Sequence, residues 1–305
     1  MIRNWPVPED VVDERIDVVL ARLGEMSRAV SASLLDDDRV LLNGKIVSKS
    51  AKVSFGDAIE VELPDPDMGS TEPTVELPIV FQDDDFVVID KPAGIAAHPS
   101  AGWSGPTVNG SLMAMGIVLT NYGPPERQGI VHRLDVGTSG LMVVTKSNAA
   151  YISLKDQFRN REVVKLYHTL VQGRLDPMSG TIDAPIDRHP TSSYRFAVMQ
   201  SGRPSITHYD TLEALAYASL LEVHLETGRT HQIRVHMAGL RHPCCGDLTY
   251  GADPKLAARL KLDRQWLHAV RLGFAHPFTG EHVEFESPYA PDLQHALELA
   301  RDLSN

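Results

Sequence analysis

Cysteine is nearly absent: two residues in 305, adjacent at Cys244 and Cys245. Neighbours in sequence cannot staple distant segments, so a disulfide framework is excluded and a reducing compartment is expected. The pair reads as small buried hydrophobes. Long apolar runs are missing too. None approaches the roughly 18 residues that span a bilayer, and the opening MIRNWPVPEDVVDE lacks the apolar core of a secretory signal. A cytoplasmic protein without membrane association is expected. There is no fixed-period repeat, no low-complexity tract and no coiled-coil heptad, and a monomer is expected.

Metal-ligand patterns are lacking as well. The 13 histidines form no His-Glu-x-x-His, and there is no Cys-x-x-Cys. His231 and His236 are five apart, which sets them about 140° apart on a helix and on opposite faces of a strand, so they cannot share one ion. His242, before Pro243, reads as a loop contact. No metal and no cofactor is expected.

Positive charge is scarce: 29 Lys and Arg stand against 40 Asp and Glu, a net −11. That sum suits nucleic acid poorly, because phosphate rewards cations. Distribution matters more. Between Asp65 and Asp90 lie Asp65, Asp67, Glu72, Glu76, Asp83, Asp84, Asp85 and Asp90 with no Lys or Arg, and Pro64, Pro66 and Pro73 mark a linker. Further on, Lys146, Lys155, Arg159, Arg161, Lys165 and Arg174 concentrate in one stretch, and Arg203, Arg229, Arg234 and Arg241 in another. A local basic cleft on an acidic body is expected.

What is present is an ordinary globular composition, 43% hydrophobic and 23% charged, long enough for one large domain and a small accessory one. Ile16, Val19, Leu20 and Leu23 predict a helix over residues 12–23 that Gly24 stops, and Ser27 is a candidate N-cap for a second helix to Leu35. Val40 to Val47 reads as a hairpin turning at Asn43-Gly44, and Ile59, Val61 and Leu63 alternate as a strand. Later strands are predicted at residues 79–81, 86–89, 141–145, 164–171, 206–212, 218–225 and 267–274. Helices are predicted near 108–115, 149–159, 231–240 and 291–303. Many strands with few, dispersed helices give an α+β domain on a mixed, mainly antiparallel sheet.

The chemistry concentrates in Gly129–Ser147, GIVHRLDVGTSGLMVVTKS. Asp135 stands between Arg133 and the Gly137-Thr-Ser-Gly140 turn, ahead of the apolar run Leu141 to Val144, so the fold holds it in place. Such an acid is a candidate nucleophile, or else a turn cap or a partner for Arg133. His-Arg-Leu-Asp is not a kinase catalytic loop: the acid is displaced by one, with no glycine-rich loop before it and no Asp-Phe-Gly after it. Ser139 lacks the Gly-x-Ser-x-Gly frame of a nucleophile elbow and reads as a turn residue.

That segment, together with Lys165-Leu166-Tyr167 and with Thr227-Gly-Arg-Thr-His-Gln-Ile-Arg-Val-His236 continuing through His242-Pro243, Gly246-Asp247 and Tyr250-Gly251, resembles the three motifs of the RluA/RluD family of pseudouridine synthases in order and spacing. The likeness covers residues 78 to 290. Residues 12 to 64 separately resemble an S4 RNA-binding domain, a small αL-like module. The resemblance implies an S4 domain over 12–64, an acidic linker over 65–77 and a catalytic domain over 78–305. It implies isomerisation of uridine to its C-glycoside, which needs neither a redox step nor an energy source.

By the same resemblance Asp135 is the essential acid, Arg234 its charge partner and Tyr167 the active-site tyrosine. Arg133 fills the space of an everted base, and His132 beside it shapes the pocket. Arg229 contacts backbone or phosphate, and Arg15, Arg28 and Lys45 are the phosphate contacts of the S4 module. Asp36-Asp37-Asp38 departs from that module's pattern, which more often carries glycine and less acid there. The implied partner is RNA, foremost large-subunit (23S) ribosomal RNA or its ribosomal precursor. The alternatives are transfer RNA as substrate and a non-catalytic RNA-binding or ribosome-assembly protein of the same fold.

Overall fold

The computed structural model describes residues 2–24, 26, 28–62, 73–100, 103–192 and 194–304. The N-terminal unit runs β1 (Ile2–Pro6), α1 (Ile16–Leu23), α2 (Arg28–Asp36), β2 (Val40–Leu42), β3 (Lys45–Ile46) and β4 (Ala58–Glu62). Its antiparallel sheet has the order β1-β4-β2-β3. Ile16, Val19 and Leu20 meet Leu34, Leu35, Val40, Ile59 and Val61 in one small core.

Periodicity starts α1 four residues too early. Asp13 sits in the left-handed region at φ 65 and gives its N–H to Val53 O, while Ile16 N–H goes to Ala51 O. Tertiary hydrogen bonds thus take the backbone that a longer helix would use. Asn43 and Gly44, at φ 51 and 75, make the turn that the sequence announces. Asp38, left-handed at φ 58, follows the end of α2, and Asp36 pairs with Lys49 at 2.9 Å. Ser27 and Leu63 lie outside the described residues, as do residues 65–72 of the expected linker.

The rest of the chain runs β5 (Ile79–Gln82), β6 (Phe86–Lys91), α3 (Val108–Ala114), β7 (Ser139–Thr145), α4 (Asn148–Asn160), β8 (Val164–Gln172), β9 (Ser179–Asp183), β10 (Ile186–Arg188), β11 (Phe196–Val198), β12 (Ile206–Ala214), β13 (Ala218–Leu225), α5 (Gln232–Gly239), α6 (Pro254–Arg259), β14 (Leu267–Ala275), β15 (His282–Glu286) and α7 (Pro291–Asp302). Nine of the described strands form one sheet in the order β5-β6-β7-β14-β8-β13-β12-β9, with β15 also on β14. β10 and β11 form a separate ribbon. Among the described residues no helix is long and apolar enough to cross a membrane.

The sheet is buried on both faces near its centre. Val87, Ile89, Met142 and Val144 pack with α3 and α5, and their neighbours Phe86, Val88, Leu141 and Val143 pack with Leu154 of α4. That is why β7 is buried at all seven positions and reads as a continuous apolar run. β7 and β14 are the only parallel pair among the described strands, joined through just His268–Ser139 and Ala269–Gly140. Gly140 is needed there: its φ is 110, and a Cβ would lie 2.4 Å from Ala269 O. Ser139, expected in the turn, is instead the first residue of β7, and its hydroxyl lies 2.8 Å from His268 Nδ1. The loop carrying Asp135 therefore ends where the two halves of the sheet meet.

Candidate active site

The Asp135 loop is fixed from several sides before any charge is considered. Thr138 N–H closes back on Asp135 O at 3.0 Å, and Gly94 N–H donates to Val136 O at 2.8 Å. Arg264 donates to Gly137 O at 2.9 Å, and Gln265 Nε2 to Thr138 Oγ1 at 3.2 Å. Beneath it Lys91, fully enclosed, gives its ammonium to Pro92 O, Ile95 O and Val136 O at 2.9, 3.0 and 3.5 Å. Burial drops the Lys91 pKa to about 7, against the pull of Asp135.

Arg234 projects from α5 onto the acid. Its Nη1 donates to Asp135 Oδ2 at 3.1 Å, while Nε and Nη2 form a fork on Asp247 at 2.6 and 3.0 Å. One enclosed guanidinium thus bridges two carboxylates. Burial works against its charge, but Asp247 and then Asp135 outweigh burial, and the Arg234 proton is held more tightly than on a free guanidinium. Gln232 sets the preceding loop: its side chain accepts from Thr227 Oγ1 and Arg229 N–H and donates to Ile206 O. Arg229 itself reaches Pro204 O at 3.2 Å, a backbone contact, and leaves Asp135 to Arg234. The pairing of Asp135 with Arg133 does not occur.

Tyr167, on β8, is 8% exposed and lies in the same pocket. Burial, reinforced by Asp135, raises its phenol above the ordinary range, so the hydroxyl stays protonated at neutral pH. Arg133 is exposed at the mouth. His132 stacks on Phe158 at 4.6 Å between ring centres and accepts the Val143 N–H at 3.0 Å, and burial, helped by Lys165, lowers it to about 3. It lines the neighbouring groove as a neutral ring.

The pocket at Asp135 encloses about 70 Å³ and opens into a groove of about 510 Å³, sharing Arg133, Tyr167, Gly228 and Arg229 with it. Among the described residues seven cations line the groove: Arg127, Arg133, Lys155, Arg159, Arg161, Lys165 and Arg229. The one acid among its described lining residues, Glu226, is paired with Arg161 at 2.8 Å and with His208 at 2.8 Å. The structure thus gathers Lys155, Arg159, Arg161, Lys165 and Arg229 as expected and adds Arg127. Lys146, Arg174, Arg203 and Arg241 do not line it.

Arg15 and Arg28 share Asp17 at 2.9 and 3.2 Å, and Lys45 stands on the exposed edge strand β3. Cys244 and Cys245 are free and buried, with burial pushing the Cys244 thiol up to about 12. Sequence reasoning left Lys91, His231, Asp247 and Tyr250 without roles at the site. The signal was a polar residue amid an otherwise apolar or motif-bound stretch.

A family model for RNA pseudouridylate synthases matches residues 85–239, and one for the S4 domain matches residues 14–59. The chain is 57% identical over 302 residues to an uncharacterized RNA pseudouridine synthase of Mycobacterium bovis, covering 98% of each. It is 37% identical to ribosomal large subunit pseudouridine synthase D of Escherichia coli, covering 97% of this chain and 93% of that one. The solved structure of Human RNA Pseudouridylate Synthase Domain Containing 1 aligns with a TM-score of 0.59 at 30% identity, covering 74% of this chain and 90% of the human one.

Proposed function

The chain belongs to the RNA pseudouridylate synthase family, and on that premise we propose that it isomerises uridine in large-subunit ribosomal RNA in the cytoplasm, with Asp135 as nucleophile. The observation that carries this reading is the Asp135–Arg234 pair in a pocket that opens directly into a groove of seven cations.

The reaction breaks C1′–N1 and forms C1′–C5; a proton leaves C5 and N1 gains one. An ionised carboxylate serves it by adding to the nucleotide or by balancing positive charge at C1′. In an enclosed site that charge needs an opposite one alongside, which Arg234 supplies at 3.1 Å. The reacting atoms of a stacked uridine are hidden, so the nucleotide must be everted at a cost of a few kcal/mol. Arg133, at the rim shared by pocket and groove, presents a planar guanidinium to the vacated space. Tyr167 stacks on the everted uracil, worth about 1 to 3 kcal/mol. Its hydroxyl can relay the proton that leaves C5 last, accepting it while passing its own on toward N1 or solvent.

The groove binds the flanking backbone through its cations, and the S4 module adds contacts from Arg15, Arg28 and Lys45. Tritium release from C5-labelled uridine in large-subunit RNA, small-subunit RNA and transfer RNA tests the reading. Release from large-subunit RNA alone is expected. Release from transfer RNA alone overturns the substrate, and release from none overturns the activity.

A further inference from the structure

Tyr250 touches both groups that face the Asp135 carboxylate. Its ring lies 4.9 Å from the Arg234 guanidinium, and its hydroxyl lies 2.8 Å from His231 Nδ1. His231 Nε2 in turn stands 3.9 Å from Asp135 Oδ2, the oxygen that also takes the Arg234 hydrogen bond. The imidazole is clamped edge-on between the Phe196 and Tyr250 rings, with centroids 5.7 and 5.6 Å away. Its backbone is left-handed at φ 57 at the start of α5, and its side chain makes no capping bond, so a strained residue spends its ring on the pocket.

Hydrogen-bond accounting favours one place for the imidazole proton. The Tyr250 oxygen already accepts the Phe196 N–H at 3.0 Å. Its single proton has one partner among the described residues, His231 Nδ1. With Nδ1 accepting, the neutral ring carries its proton on Nε2, pointing at Asp135. Burial keeps the ring neutral near pH 7 by outweighing the pull of Asp135.

We infer that His231 is a positioning residue: held in the Nε2–H tautomer by Tyr250, it gathers Asp135 Oδ2 together with Arg234 and leaves Oδ1 free for the reacting carbon. This rests on the isomerase reading. Among the described residues no donor meets Oδ1, and both donors converge on Oδ2, so the carboxylate is anchored at one oxygen and open at the other. The gap from Nε2 to Oδ2 is about 1 Å longer than a hydrogen bond. A movement of that size, expected once a nucleotide displaces water from the pocket, brings Nε2 into hydrogen-bond reach of Oδ2. Phe196 belongs to the β10–β11 ribbon, so that ribbon is tied through Tyr250 to the acid.

Two measurements on the full-length protein test this. The first is a long-range nitrogen–proton correlation spectrum of nitrogen-15 histidine-labelled protein, with His231 assigned by its loss in His231→Gln. Wild type should show Nε2 protonated, and Tyr250→Phe should lose that bias; a wild-type Nδ1–H ring overturns the inference. The second compares kcat and KM for tritium release by His231→Ala and His231→Gln, which share the same backbone strain and differ in the donor. The alanine variant should lose about tenfold or more in kcat with KM within about twofold, and glutamine should recover most of it. Equal losses in both variants, or an unchanged alanine variant, overturn it. A wild-type protein that releases no tritium overturns the isomerase reading alone, and the tautomer then decides this one.

Discussion

Two arginine–carboxylate clusters in this chain are built in opposite senses. In the N-terminal unit one buried acid, Asp17, accepts from two arginines whose side chains are 49% and 63% exposed. Beside the pocket one arginine, 8% exposed, serves two acids that are 14% and 2% exposed. Either exposed guanidinium can give up Asp17 for a phosphate at little cost, because the other arginine stays on the acid. Arg234 cannot leave without stranding two enclosed charges. The first arrangement suits the reversible RNA contact proposed for the S4 module, and the second sets a fixed positive charge against the proposed nucleophile.

Removing the arginine should separate the two most sharply. Arg234→Ala should lose activity about a thousandfold or more and cost about 3 to 5 kcal/mol of stability, read by tritium release and urea unfolding. Arg28→Ala should cost under about 1 kcal/mol and leave kcat unchanged while weakening RNA binding. A catalytic defect in the second variant, or a stable and active first one, would collapse the distinction.

The groove should behave like the exposed cluster, only more so. Arg159→Ala combined with Lys165→Ala should weaken RNA binding and flatten the slope of log affinity against log salt by about 0.7 per cation removed, if the bound segment is single-stranded. A change in affinity without a change in that slope would argue against phosphate contact.

The pH response distinguishes enclosed from exposed groups. His268, fully buried between Ser139 and Ser287, is lowered to about 4 by burial, helped by Arg264. The unfolded chain takes up a proton near 6.5 while the folded one refuses it until about 4, so stability is lost as pH falls through that window. The loss should reach about 3 kcal/mol, and His268→Gln should flatten the fall in urea midpoint between pH 6.5 and 4. The smallest effect belongs to Tyr167→Phe, which keeps the ring and so should retain substrate binding while slowing turnover. Tyr167→Leu should weaken both, and unchanged turnover in the leucine variant would remove Tyr167 from the chemistry.

Much of this was legible in the residues. β7 announces itself as Leu141-Met-Val-Val144, and β13 falls at residues 218–225 as predicted. Edge elements were not. β1 carries Arg3, Asn4 and Pro6 on an edge strand, β9 has Ile182 as its one large apolar residue, and β10 and β11 are three residues each, too short for any period to register. At the site, the pairing of Asp135 with Arg234 spans 99 residues and rested on the family resemblance, since nothing local distinguishes Arg234 from Arg133 as partner. Asp247 and Tyr250 follow the same logic. Their roles exist only once the loop after α5 returns beneath Arg234. His231 looked like half of a failed metal pair because a helical count from His231 to His236 assumes both lie on the helix, and His231 stands just outside it.

The most direct measurement is turnover of large-subunit RNA by Asp135→Asn, an isosteric change that keeps the loop and removes the charge. The protein should fold, bind RNA within a few-fold of wild type and form no detectable pseudouridine. Conversion at the wild-type rate would contradict the assignment of Asp135 as the nucleophile.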